Sequence, residues 1–167
     1  AFFSAKKVVT RKIFRPYCSL STVRTFILLK FRKERLEKMK NISTEEIKTL
    51  INKNLEFAKK IKNYLHEYPE LSSREFETRK FLINECKKLG LETQEVENST
   101  GFVAILDTKK EGKILGIRTD IDALPLFENE KNLKGKKEIV SKNLGVMPAC
   151  GHDFHMALVL TSAKILS

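Results

Sequence analysis

The sequence has few cysteines and no long apolar run. Its three cysteines, Cys18, Cys86 and Cys150, stand at irregular spacing in 167 residues. They set up no disulfide framework, which suits a reducing compartment. No apolar stretch approaches the length of a membrane span; the longest candidate, Phe26-Ile27-Leu28-Leu29, is broken by Lys30. There are no internal repeats. Acids are missing at the start, where the first is Glu34.

What is present is an uneven charge. Of the formal net charge of +11, residues 1–40 carry +10, with twelve Lys/Arg against two Asp/Glu. Residues 41–167 are close to neutral, with twenty against nineteen. The basicity therefore belongs to the N-terminal segment, and no nucleic-acid partner is expected for residues 39–167. Residues 1–38 are rich in Lys, Arg, Ser and Thr, as organellar transit peptides are. A disordered basic arm, a nucleic-acid-binding tail, and translated sequence upstream of a start at Met39 are the alternatives. The tail has no interleaved aromatics for base stacking. The apolar content of 41% provides for one core. The chain divides into a basic segment, 1–38, and a globular part, 39–167.

From Ser43 the pattern becomes regular. Ser43-x-x-Glu46 is a capping box, and Ile47, Leu50, Ile51, Leu55, Ala58, Ile61 and Leu65 recur at helical spacing. Pro69 ends this helix near His66. Ser72-x-x-Glu75 reads as a second capping box, opening a helix with Phe76, Phe81, Leu82, Cys86 and Leu89 inward and Gly90 at its end. Strands are predicted at 91–96, 102–106 and 113–118, the last two joined as a hairpin through Lys109–Gly112. Residues 127–143 are polar and lysine-rich and read as a loop. A last helix is expected from about His155, carrying Ala157, Leu158, Leu160 and Leu166. Helices and strands in this order indicate an α/β or α+β layer protein.

Two segments carry chemistry. Cys150-Gly151-His152-Asp153-Phe154-His155 packs a thiol, two imidazoles and a carboxylate into six residues. Thiolate and neutral imidazole are ligands for borderline-soft divalent metals, and Gly151 permits a tight turn between them. Spacing alone reads equally as half a metal site or as a packed cysteine beside a hydrogen-bonded histidine. Asp120 and Asp122 follow an apolar strand, where alternate side chains share a face. One carboxylate there would orient a metal-bound histidine; a solvated turn before Pro125 is the plainer alternative.

Leu65-His66-Glu67-Tyr68-Pro69-Glu70-Leu71, with Glu75 and Thr78 after it, resembles the LHxxPELxxxExxT opening of the metal-dependent amidohydrolases. That family takes in aminoacylases, hippurate hydrolases, N-acetyl-diaminopimelate deacetylases and auxin–amino-acid conjugate hydrolases, with dipeptidases and carboxypeptidases beside them. Arg118-Thr119-Asp120-Ile121-Asp122-Ala123-Leu124-Pro125 resembles its RADMDALP motif, and Gly145–His155 its GxMHACGHDxH motif. The three occur in the family's order. The resemblance implies an α/β fold: the N-terminal portion of a zinc-peptidase-like catalytic domain, helices packed on a mixed sheet, ending before the inserted dimerisation domain. It implies divalent metal (zinc, manganese, nickel or cobalt) on Cys150 and His152, with Asp122 in a supporting role and Asp153 and His155 structural. The implied reaction is hydrolysis of the amide of an N-acyl amino acid or short peptide, in a full-length protein that is a homodimer and meets no membrane. The substrate-binding residues are not given by any motif. Pro148 stands where the family usually has His. The family's general-base glutamate pair and a further histidine ligand come later than Ser167, and Glu128 and Glu130 precede the metal motif. The 167 residues alone are therefore expected to be inactive, and a non-catalytic binding or regulatory module is the alternative. The expected location is the cytoplasm, or the mitochondrion if residues 1–38 are a transit peptide.

Overall fold

The computed structural model describes residues 24–30, 42–107 and 114–167. Helix α1 spans Thr44–Glu67 and opens on the expected capping box. Ser43 Oγ accepts from the Glu46 N–H at 3.2 Å, and the Glu46 carboxylate accepts from the Ser43 N–H at 2.8 Å. Helix α2 spans Phe76–Lys88 and is capped differently from expectation, since its N-cap residue Glu75 makes no side-chain capping bond. Glu75 is fully buried and accepts instead from the Thr100 hydroxyl. The free N–H groups of the first turn go to Glu70, whose carboxylate accepts from Thr78 N at 2.7 Å and Glu77 N at 3.3 Å. Gly90, with φ of 76°, takes the chain out of α2 in the left-handed conformation that glycine adopts without strain.

The main sheet has four strands. They are β1 (Arg24–Lys30), β2 (Glu92–Glu95), β3 (Phe102–Asp107) and β4 (Ile114–Asp120), in the order β2-β3-β1-β4. β1 runs parallel to β3 and antiparallel to β4, and β2 is antiparallel to β3, so the sheet is mixed. The expected hairpin is absent: β3 and β4 do not pair, because β1 lies between them. The polar turn assigned to Lys109–Gly112 lies outside the described residues. Strands β5 (Lys131–Asn132) and β6 (Gly135–Lys136) form a small hairpin inside the lysine-rich loop.

Helix α3 spans His152–Leu166 and starts three residues before the expected point. Its first turn is closed on Gly151, whose carbonyl accepts from Phe154 N at 3.1 Å and His155 N at 3.0 Å. α1 and α3 pack antiparallel. His66 near the end of α1 meets Asp153 at the start of α3, and Lys164 near the end of α3 sits 4.2 Å over the Phe57 ring. Ile47, Ile51 and Leu55, which continue the apolar stripe of α1 before Phe57, are exposed. Phe76 and Leu158, expected inward, are also exposed.

One core joins the elements. Ile61 and Leu65 from α1, Leu82 and Cys86 from α2, Phe102 and Ala104 from β3, Ile121, and Met156 and Leu160 from α3 are all buried in it. Each large side chain so removed from water contributes about 1.5–3 kcal/mol. Tyr64 and Phe81 stack at 3.9 Å between ring centroids, locking α1 against α2. The core sits directly beneath the segments that carry the polar chemistry.

Candidate metal centre

The site is assembled from three segments that leave the core together. The first follows α1, where Leu71 bridges to Ala123 and the Glu70 carbonyl accepts from Ala123 N at 2.7 Å. The second is the end of β4 running through Asp120–Pro125. The third is the loop before α3, clipped to the second by two Leu124–Met147 backbone bonds of 3.0 Å each. Pro148 is buried, and its carbonyl accepts from Gly151 N at 3.0 Å, closing a tight turn around Ala149 and Cys150. Gly151 then takes φ of 77°, and His152 becomes the first residue of α3.

This route aims His152 at Asp122. Its Nδ1 lies 2.9 Å from the Asp122 carbonyl oxygen and 3.0 Å from Asp122 Oδ1. A ring that donates from Nδ1 presents the Nε2 lone pair, the arrangement in which a carboxylate fixes the tautomer and orientation of a ligating histidine. Cys150, two residues earlier, is an exposed free thiol. The other described cysteine, Cys86, is buried in the core, which pushes its thiol up to about 12, with the charge of Glu85 adding to the effect. A thiol held neutral in this way is a packing residue.

The two acids expected to face one site part company. Asp120 accepts both bonds of the Arg118 guanidinium, at 2.8 and 2.7 Å, while Asp122 alone reaches His152. His155 lies with its ring centroid 6.0 Å from that of His152. Among the described residues, no group of three or more His, Cys, Asp or Glu side chains is arranged to hold a metal ion. Asp122 stands behind His152, and Cys150 is an exposed thiol two residues earlier.

A second polar cluster lies beside this one, and sequence reasoning did not assemble it. His66 Nδ1 is 2.8 Å from Asp153 Oδ2, and its Nε2 is 3.0 Å from Glu128 Oε1. Both carboxylate side chains are only 4% exposed. Donating to both requires a doubly protonated ring, so His66 is an imidazolium bridging two buried carboxylates. The hydrogen bond to Asp153 is the largest cause raising its pKa, burial opposes this, and Glu128 adds to the rise. Burial would raise the Glu128 carboxyl, but the Ser141 N–H, the Lys137 ammonium and His66 outweigh it and bring the pKa to about 2. The loop is also tied to the end of α1 by Asn143 Nδ2, which donates to the Pro69 carbonyl at 2.7 Å, and by Lys142 on Glu67 at 3.1 Å. The available signal was an acid, Glu128, opening a lysine-rich loop.

The cluster sets a pH window for stability. Glu128 titrates below its ordinary 4.5, so its contribution is complete above that pH and is lost as the pH falls towards about 2. His66 titrates above its ordinary 6.5, so its contribution is complete below that pH and is lost as the pH rises through the higher folded value. Thermal melts across pH should show the cluster's stabilisation greatest between 4.5 and 6.5. His66→Gln should flatten the decline on the alkaline side, and an unchanged decline would remove His66 from that role.

Helices on a mixed sheet, with a Cys-x-His pair and a supporting carboxylate gathered beyond a strand end, have the layout of a zinc-peptidase-like α/β catalytic domain. Known proteins agree. No protein-family model matches the chain. It is 42% identical over 106 residues to an N-acetyl-L-cysteine deacetylase of Bacillus subtilis, covering 64% of this chain and 24% of that protein. It is 39% identical over 123 residues to thermostable carboxypeptidase 1 of Saccharolobus solfataricus, covering 73% and 30% respectively. Among solved structures it is similar to a Bacillus subtilis protein described as a dinuclear metal-binding peptidase of the M20 family. The TM-score is 0.55 and the identity 32%, over 71% of this chain and 31% of the other. In sequence and in fold the chain thus matches the N-terminal part of the metal-dependent amidohydrolase and peptidase family. It spans 24% and 30% of the length of these two relatives. Among the described residues, no helix is long and apolar enough to cross a membrane.

Proposed function

We propose that residues 39–167 supply part of the metal site of a hydrolase acting on the amide bond of N-acyl amino acids or short peptides. The observation that carries this reading is His152, held at Nδ1 by Asp122 and placed two residues after an exposed thiol. Cys150 Sγ and His152 Nε2 would hold a divalent ion, and two donors alone do not fix the geometry that selects among zinc, manganese, nickel and cobalt. Such an ion, when bound, polarises an amide carbonyl and lowers the pKa of water. The chain's own residues position the donors. Asp122 fixes the histidine ring, the Pro148–Gly151 turn presents the thiol, and the His66 cluster anchors the start of α3. The relatives' names support linear amides as substrates, one being a deacetylase and the other a carboxypeptidase. The reading includes a cytoplasmic site of action and a homodimeric full-length protein.

A second reading is a binding module without catalysis. One experiment separates the two. The full-length protein is stripped with chelator, reloaded with each of the four ions, and assayed for amine release from N-acetyl amino acids. Chelator-sensitive hydrolysis supports the enzyme. Metal uptake without hydrolysis supports the module, and failure of both overturns the metal site.

A further inference from the structure

Two side-chain links join the segment after β4 to the start of α3. The first is direct, with His152 Nδ1 at 2.9 Å from the Asp122 carbonyl oxygen and 3.0 Å from Asp122 Oδ1. The second passes through the end of α1. Asp153, the residue after His152, accepts from His66 Nδ1 at 2.8 Å. His66 Nε2 reaches Glu128, further along the segment that carries Asp122, at 3.0 Å. The chain beyond His66 is tied to that segment as well, since the Glu70 carbonyl accepts from Ala123 N at 2.7 Å.

The start of α3 has little else of this kind to hold it. Its N-cap, Gly151, offers no side-chain capping bond. Asp153 is 3% exposed, and its other ion-pair partner among the described residues, Lys62, stands at 4.0 Å. A buried carboxylate deprived of its cation turns towards water, and the first helical turn moves with it. Functional groups work only when held to within about 0.5 Å. A shift of that size takes a 3.0 Å contact between His152 and Asp122 to the limit of hydrogen bonding.

We propose that His66 is a positioning residue for the metal centre. It holds the start of α3 against the segment after β4, so that Asp122 keeps the His152 ring presented. Its influence passes through Asp153 and the helix start. The inference rests on the proposed metal site at Cys150 and His152.

The test is calorimetric titration of the metal-stripped full-length protein with zinc, read beside thermal melting. His66→Ala should weaken zinc binding about tenfold, the lower end for a supporting group. His66→Gln, which keeps one donor, should lose less. Leu82→Ala, in the core on α2, should lower the melting temperature and leave zinc affinity unchanged. The readout particular to positioning is a double-mutant cycle. In an Asp122→Asn background His66→Ala should cost clearly less, because the ring it serves to place is no longer held. If His66→Ala does not fold, His66→Gln enters the same cycle. Affinity of the His66 variant within about twofold of wild type, or losses that simply add, would overturn the inference. An equal loss of affinity in Leu82→Ala would overturn it too. With Cys150→Ser and His152→Ala still weakening zinc binding, these results would leave the metal site standing. Wild-type affinity in both donor variants would overturn the metal site and this inference together.

Discussion

His66→Ala is expected to lower the unfolding free energy by about 3–5 kcal/mol, the usual cost of removing one partner of a buried ion pair. Its ring stands between Asp153 and Glu128, at 2.8 and 3.0 Å, and both carboxylate side chains are only 4% exposed. Deleting the cation leaves two buried anions across a cavity. Lys137 still serves Glu128 at 2.9 Å, but Lys62 reaches Asp153 only at 4.0 Å, so Asp153 loses most. Domains of this size have about 5–15 kcal/mol in total, so thermal melting followed by circular dichroism should show a large drop. His66→Gln, which keeps a donor on one side, should lose less. A change under about 1 kcal/mol for His66→Ala would be the value for a solvated pair and would refute the bridging role.

The second large effect is on metal binding. Asp122 supports His152 without being a donor, and Asp122→Asn should weaken divalent-ion affinity by about 10–100-fold. His152→Ala and Cys150→Ser remove donors outright, so each should exceed that, with a loss of at least ~10²-fold in affinity and in any metal-dependent hydrolysis. Calorimetric titration with zinc measures the first, and amine release from N-acetyl amino acids the second. Cys86→Ala is the control. That thiol is buried in the core, so its loss should cost stability and leave zinc affinity unchanged. Wild-type affinity in His152→Ala would remove it from the ligand set.

Local signals in the sequence translated well. The Ser43/Glu46 box and Gly90 bound their helices because capping and positive φ depend on a few adjacent atoms. Asp122 and His152 were legible as chemistry, and the fold brings them together. What escaped depends on distant partners. Ser72-x-x-Glu75 has the letters of a cap, but Thr100 claims the glutamate and Glu70 does the capping from outside the helix. The expected hairpin failed because a segment more than seventy residues upstream enters the sheet. Glu128 and His66 lie sixty-two positions apart, and although His66 stands in the first motif, nothing local in the sequence pairs it with Glu128.

The loop that carries Glu128 is fastened at its base and free at its tip. The Glu130 carbonyl and Lys137 N–H close the β5–β6 hairpin at 2.8 Å, and beyond that bond Leu133 stands fully in solvent. Changes in length are absorbed where backbone is exposed and unpartnered. The tip at Leu133, between the paired residues Asn132 and Gly135, is therefore where this chain can accept an epitope, a fluorophore or a spliced-in segment, leaving the histidine bridge and the metal donors as they were.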